Sequence, residues 1–259
     1  MLRRFINANI AACDWIEGRL PKRFTRSLHA LHERTTHRLM NARPGGVVMD
    51  VGGGHLCPFA AGRDPGLGIR IIAVDISEAQ LRGNRAVDWK VAGDACRPLP
   101  LRDGAVDLVV TRSVLEHLPD NEAFVAESAR VTRAGGAGVH VFPARFAPFA
   151  VINQLVPDRV ARAVLHFVFP HWKSECGFPA HYHHCTADGM PALMRRHGME
   201  VEEMHLRYYQ SIYFKFLLPL YLVSLAYDLV VWAFDLRLLA CQVLLVVRKA
   251  ALDHPPQHG

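Results

Sequence analysis

The sequence predicts an α/β fold, a seven-stranded and mostly parallel sheet in three layers with helices on both faces. Three observations predict it. Short, β-branched apolar runs recur along the chain, and stretches long enough for crossover helices separate most of them. Most of the runs are nearly continuous in apolar residues and do not alternate, as strands buried on both faces do not. With 259 residues, 51% of them hydrophobic and 21% charged, the chain is long enough for a sizeable core and too apolar to be disordered.

The elements follow in order. Residues 1–43 carry Phe5, Ile6, Ile10, Leu28, Leu31 and Leu39 at helical spacing, broken at Gly18–Pro21, which predicts two amphipathic N-terminal helices. Pro44-Gly45-Gly46 then opens the main domain, expected over 44–259. Val47–Val51 is the first strand, and Ile69–Val74, Asp88–Ala92, Val106–Thr111 and Gly138–Phe142 are four more. Glu78–Ala86 and Asn121–Thr132 are helices between them. From about 144 to 198 the pattern gives way to aromatic and proline-rich sequence, expected to be a helical cover near the mouth of the sheet. Within it Ala187–His197 is a helix ended by Gly198. Met199–Tyr208 and Leu238–Val247 are the last two strands, and the tail from Asp253 is expected to fray.

Charge and cysteine usage narrow the function classes. Lys and Arg number 30 against 24 acids, for a net charge of +6. The basic residues are scattered, with Arg3, Arg4, Arg19, Lys22, Arg23 and Arg26 the only local concentration and no Lys/Arg stripe of the kind a nucleic-acid surface shows, so nucleic acid is not an expected partner. Six scattered cysteines, without CxxC pairs or a signal sequence, predict a reduced, cytoplasmic protein.

The chemistry gathers at strand ends. The first strand runs straight into Gly52-Gly53-Gly54, where a sharp turn lets a ligand approach the backbone. The bland reading is a structural turn. Asp75 closes the second strand, 23 positions after Gly52, where a carboxylate accepts from ribose hydroxyls and repels a 2′-phosphate. A helix N-cap is its ordinary alternative, although Ser77 and Glu78 suit that place. A dinucleotide fingerprint needs Gly or Ala three residues after its second glycine, and Cys57 breaks that pattern. Asp94, just after the third strand, suits an adenine amine, though alone it reads as a loop residue.

These motifs resemble the class I S-adenosylmethionine-dependent methyltransferases, in particular the type 11 family. The likeness rests on Val48-Met49-Asp50-Val51-Gly52-Gly53-Gly54, Ala73-Val74-Asp75-Ile76-Ser77, Gly93-Asp94-Ala95, Leu99–Val110, Ser113–Leu118 and Arg130–Gly136. The resemblance implies a Rossmann-like sheet whose last strand is antiparallel, and S-adenosylmethionine as cofactor. It places Asp50, Gly52, Gly53, Gly54, Asp75, Ile76, Asp94 and Ala95 at the cofactor, with Gly52 and Gly54 against the methionine part, Asp75 at the ribose, and Asp94 with Ala95 at the adenine. Arg112 and Ser113 would lie beside the transferable methyl. The implied reaction is in-line displacement by a small-molecule or lipid-linked acceptor, with alignment and exclusion of water as the main tasks of the protein.

A base is needed only for an acceptor that sheds a proton. His117 is the first candidate, because Glu116-His117 follows the fourth strand at the rim where open α/β sheets bind ligands; packing at a helix start is its alternative. His183 and His184 are further candidates, in the cluster Cys176, His181, Tyr182, His183, His184 and Cys185. Its spacing lacks the ligand pairs of a zinc site, so it reads as a substrate-pocket loop and no metal is expected. In the apolar stretch 211–236, Lys215, Asp228 and Asp235 leave a charge-free run of twelve residues, Phe216–Tyr227, too short to span a bilayer, which takes about 20. It reads either as a peripheral contact with the inner face of a membrane or as a homodimer or packing surface. Two rivals to methyl transfer are a cofactor-binding, membrane-docked accessory subunit without catalysis and, at Cys57's expense, an NAD-dependent oxidoreductase.

Overall fold

A computed structural model of the chain describes residues 2–155 and 179–251. The chain opens with α1 (Leu2–Glu17), the single turn α2 (Lys22–Thr25) and α3 (Leu28–Asn41). The strand–helix alternation follows as β1 (Val47–Val51), β2 (Arg70–Asp75), α4 (Glu78–Gly83), β3 (Trp89–Ala92), β4 (Val106–Arg112), α5 (Asn121–Val131) and β5 (Thr132–Pro143). Then come α6 (Pro148–Leu155), α7 (Gly189–Arg196), β6 (Met199–Arg207), α8 (Leu218–Ala233) and β7 (Gln242–Lys249).

The seven strands form one sheet in the order β3-β2-β1-β4-β5-β7-β6. The first five pair parallel, and β7 runs antiparallel to both β5 and β6. The central strands β1, β2, β4, β5 and β7 are buried on both faces, whereas the edge strands β3 and β6 are more open. Val48, Ile71, Leu108, Val110, Val139 and Val246 pack with Leu28 and Met40 of α3. Met49, Ile72, Val109, Phe142 and Leu245 pack on the opposite face with Phe124 of α5 and Leu193 of α7. The N-terminal helices are therefore continuous with the sheet, since α3 covers one of its faces.

Three expectations shift. β5 starts at Thr132 rather than Gly138, because Gly135 at φ +71° bends the strand without ending it. The last strand begins at Gln242 rather than Leu238; Arg237–Leu239 is a 3-10 turn in which Leu238 is open to solvent and Leu239 is half-buried against Tyr208, Val231 and Ala240. Of the cover expected over 144–198, α6 and residues 179–198 are described. Cys176, Phe178 and the tail from 253 lie outside the described residues.

One feature of the topology positions everything that follows. β1, β2, β3 and β4 all point their C-terminal ends to one edge of the sheet. Gln242, where β7 begins, pairs with Pro143 at the end of β5 and with Arg207 at the end of β6. The segment 208–241, which contains α8, therefore emerges on that same edge.

Candidate active site

At that edge a cavity of about 250 Å³ opens over the strand ends. Its walls include Gly52 after β1, Asp75 and Ile76 after β2, Gly93, Asp94 and Ala95 after β3, and Arg112, Ser113 and His117 after β4. The parallel sheet creates the site by itself, since every β-to-α connection turns back at this edge.

Each wall is held by local chemistry. Gly52 adopts φ +74°, and a Cβ there would lie 2.4 Å from Val114 Cγ2, so only glycine lets the chain turn beneath the ligand. Asn84, buried after α4, donates from Nδ2 to the carbonyls of Gly53 (2.9 Å) and Gly54 (3.3 Å) and clamps the loop from below. Asp75 accepts from Gly54 N–H at Oδ2 (3.0 Å) and from Ser77 N–H at Oδ1 (2.8 Å). Each oxygen keeps acceptor capacity for a second donor from the cavity. Asp94 accepts from Cys96 N–H (2.9 Å), which shapes the turn after β3. Glu127 and Arg130 of α5 fix the following loop. The Glu127 carboxylate accepts from Leu99 N–H (2.6 Å), and Arg130 donates to the carbonyls of Leu99 (3.2 Å) and Leu101 (2.8 Å). Ser113 has a positive φ of 53°, an uncommon conformation for a residue with a side chain, and it sits in the cavity wall with its N–H bound to Val141 O.

The expected residues divide into three groups. Gly52, Asp75, Ile76, Asp94, Ala95, Arg112, Ser113 and His117 line the cavity together. Gly53 and Gly54 shape the loop without forming its walls. Asp50, expected to bind the cofactor, does not line the cavity. It is buried under the glycine loop, where the Cys57 thiol bonds to its carboxylate and Oδ2 has no partner among the described residues. Burial pushes its pKa up to about 7 and raises that of the Cys57 thiol. The cysteine that breaks the dinucleotide pattern thus serves as a donor to a buried acid. His183 and His184 are exposed and stand outside the cavity walls. The His183 ring stacks on His181, centroids 5.7 Å apart, and the His183 carbonyl accepts from Asn121 Nδ2.

His117 is the histidine that the fold brings to the site. Its Nδ1 lies 2.9 Å from the Pro179 carbonyl, which only accepts, so Nδ1 donates that bond and orients the ring; Nε2 lies 3.9 Å from Glu116 Oε1. The segment supplying that carbonyl is anchored by Glu116, whose own carbonyl accepts from the N–H groups of His181 (2.7 Å) and Tyr182 (3.1 Å). The Glu116 side chain is 4% exposed, and burial pushes its pKa up to about 8.

Sequence reasoning missed Gln80, Val114, Leu118 and Pro119 in the walls and Asn84 beneath them. Gln80 was within reach: it lies one turn into α4, three residues after the cap Ser77, and that helix starts at the cavity edge. Asn84 has no such signal, because it reads as an ordinary helix end.

Comparison with known proteins agrees with this geometry. Residues 49–139 match the family model described as a methyltransferase domain. The demethylmenaquinone methyltransferase of Mycolicibacterium vanbaalenii is 36% identical over 104 residues, covering 40% of this chain and 44% of that protein. The chain thus spans less than half the length of this curated relative. A chain from the complex between the Haloferax volcanii Trm112 methyltransferase activator and the putative methyltransferase aligns over 98% of this chain and 100% of its own, with TM-score 0.55 and 17% identity. The geranyl diphosphate C-methyltransferase of Streptomyces coelicolor A3(2) covers 87% of this chain and 80% of its own, with TM-score 0.55 and 15% identity. Both share the fold. Segment 49–139 is a methyltransferase domain of the S-adenosylmethionine-dependent class.

The residues present fit that cofactor. Gly52 leaves the loop open where a Cβ would collide, and two acids at adjacent strand ends face one cavity, Asp75 with acceptor capacity to spare.

Proposed function

We propose that the chain transfers a methyl group from S-adenosylmethionine to a small-molecule or lipid-linked acceptor. The observation that carries this reading is the convergence of Gly52, Asp75, Asp94 and Ser113 on one cavity at the ends of four parallel strands, inside a segment of the methyltransferase domain family.

S-adenosylmethionine supplies, when bound, an already activated sulfonium methyl. The protein is left with binding, alignment and the exclusion of water. Asp75 accepts from the ribose hydroxyls, and the side chain of Asp94 accepts from the adenine amine beside Ala95. The loop at Gly52 passes under the methionine part, with Arg112 and Ser113 along the opposite wall. His117, oriented by Pro179 O, presents Nε2 as base for an acceptor that must lose a proton. His183 and His184 belong to the segment over the acceptor side, outside the cavity walls. In this reading the N-terminal helices (1–43) precede a methyltransferase domain (44–259), and α3 packs as one layer on that domain's sheet.

The matched segment ends at residue 139, before the acceptor side. Support for an apolar or lipid-linked acceptor comes from that side. Phe146, Val151 and Ile152 of α6 and the turn before it are exposed. Phe149 N–H bonds to Gln210 Oε1 (3.2 Å), and the Phe149 ring lies 4.7 Å from that of Tyr213, which joins α6 to the segment 208–241. The test is transfer of a labelled methyl from S-adenosylmethionine into fractionated cell extracts. The reading expects label in the solvent-extractable lipid fraction or in small molecules, lowered strongly by His117→Gln if the acceptor is a hydroxyl. Tight cofactor binding without label in any fraction would favour the accessory subunit.

A further inference from the structure

α8 has an unusual outward face. Its exposed residues are Pro219, Leu220, Leu222, Val223, Ala226, Val230 and Ala233, at spacings of one to four residues, and none is polar. Val223 is 70% exposed, and beyond the helix Phe234 is 73% exposed, with Leu236 and Leu238 also open to solvent. A face that simply packed on the sheet would point inward. Here the inward side is separately occupied: Tyr221 and Leu225 join a small core with Cys13 and Phe24, and buried Asp228 accepts from Gln210 N–H (2.8 Å), Ser211 N–H (2.9 Å) and Ser211 Oγ–H (2.6 Å). The acid that interrupts the apolar run in sequence is therefore an anchor on the protein side, leaving the other side greasy.

Basic residues flank this face. α1 runs beside α8, with Asn9 Oδ1 accepting from Leu218 N–H (2.8 Å) at the start of α8. At the far end the Arg23 guanidinium lies 5.0 Å from the centre of the Trp232 ring. Arg3, Arg4, Arg19, Lys22, Arg23 and Arg26 are all exposed. The acids in that stretch, Asp14 and Glu17, both pair with Lys215. α1 also exposes Leu2, Phe5 and Trp15. Apolar side chains beside a cationic flank complement a bilayer with anionic headgroups.

We propose that α8 and α1 together dock the protein on an anionic lipid surface, with α8 lying in the plane of the interface. The lengths agree. No described helix is long and apolar enough to cross a membrane, and the 16 residues of α8 span about 24 Å, short of the roughly 30 Å of a hydrocarbon core. Charge decides against a second copy as the occupant. A second copy would bring the same apolar and basic face, its acids Asp14 and Glu17 already paired with Lys215, and so no charge complementary to the flank, whereas anionic lipid neutralises it. Position gives docking a use, because segment 208–241 leaves the sheet at the cavity's own edge.

Docking does not depend on methyl transfer, and vesicles test it without any methyl donor. The full chain is sedimented with vesicles of phosphatidylcholine alone and of phosphatidylcholine with phosphatidylglycerol. Each Lys or Arg at an anionic surface contributes about fivefold. The expected result is at least tenfold tighter binding to the anionic vesicles, weakened by salt. Val223→Asp/Val230→Asp and, separately, Arg3→Glu/Arg4→Glu should each lower it at least tenfold with unchanged circular dichroism and S-adenosylhomocysteine binding. Should the aspartates disturb folding, Val223→Ser/Val230→Ser removes apolar area without adding charge and should lower binding in the same direction. Sedimentation with neither vesicle, equal affinity for both, or variants that bind like the native chain would overturn the proposal. So would a native dimer that Val223→Asp/Val230→Asp converts to monomer, which would assign the face to a second copy.

Discussion

Gly52→Ala is expected to weaken both the fold and the cofactor site, through two separable causes. At φ +74° a residue with a Cβ adopts the left-handed region at a cost of about 1–2 kcal/mol. The new Cβ also meets Val114 Cγ2 at 2.4 Å and its Cβ and Cγ1 at 3.5 Å, a contact that no small adjustment of Cγ2 relieves. Overpacking of this kind costs about 1–3 kcal/mol. Together they make about 2–5 kcal/mol, a large part of a typical domain's stability. Val114 is itself a cavity wall, so the strain is relieved by moving the wall, and affinity falls with stability. The double substitution Gly52→Ala/Val114→Ala removes the clash and keeps the backbone strain. In a double-mutant cycle followed by urea unfolding, and by calorimetry with S-adenosylhomocysteine, it should recover about 1–3 kcal/mol relative to the sum of the single effects. A Gly52→Ala protein with native stability and affinity, or a double variant that is merely additive, would refute the reasoning.

Other substitutions test other parts of the account. Asp75→Ala should weaken S-adenosylhomocysteine binding by about 1.5–3 kcal/mol, the contribution of hydrogen bonds to a charged acceptor, and unchanged affinity in a titration would contradict the ribose role. Glu116→Gln tests the buried carboxyl through pH. The folded state holds Glu116 protonated up to about pH 8, whereas the unfolded chain ionises it near 4.3, so its contribution is complete at low pH and is lost as pH rises through that window. The variant should match the native chain below about pH 4.3 and gain on it by about 1.4 kcal/mol per pH unit up to about 8; a constant difference in melts across pH would exclude this. Asp228→Asn puts an amide against donors and should cost about 1–3 kcal/mol, with faster hydrogen exchange in α8 before the sheet; uniform exchange would count against the anchor.

The central sheet was legible because burial on both faces leaves a plain mark. Val47–Val51 and Val106–Arg112 read as strands with little displacement of their ends, and so does the cavity edge they define. Burial alone misleads where apolar residues lie outside the core. Leu238 looked like the start of a strand and instead sits in an exposed turn. Asp75 and Asp94 could be placed because strand ends fix their positions. Asp50 could not, since whether an acid on β1 faces the ligand or the interior depends on its partner, and Cys57 was visible only as a departure from another pattern. Among the histidines, the strand-end position of His117 put it first, but spacing left His183 and His184 as further candidates. Only the folded chain separates them, by putting Pro179 O against His117 Nδ1 and leaving the other two in solvent.

The most direct test of the central claim is calorimetric titration of the full chain with S-adenosylhomocysteine and, in parallel, with NADH. The account predicts binding of S-adenosylhomocysteine with one site per chain, abolished or strongly weakened by Asp75→Ala, and no binding of NADH. Binding of neither ligand, or of NADH in preference, would contradict the assignment of Gly52, Asp75 and Asp94 to a methyl-donor site.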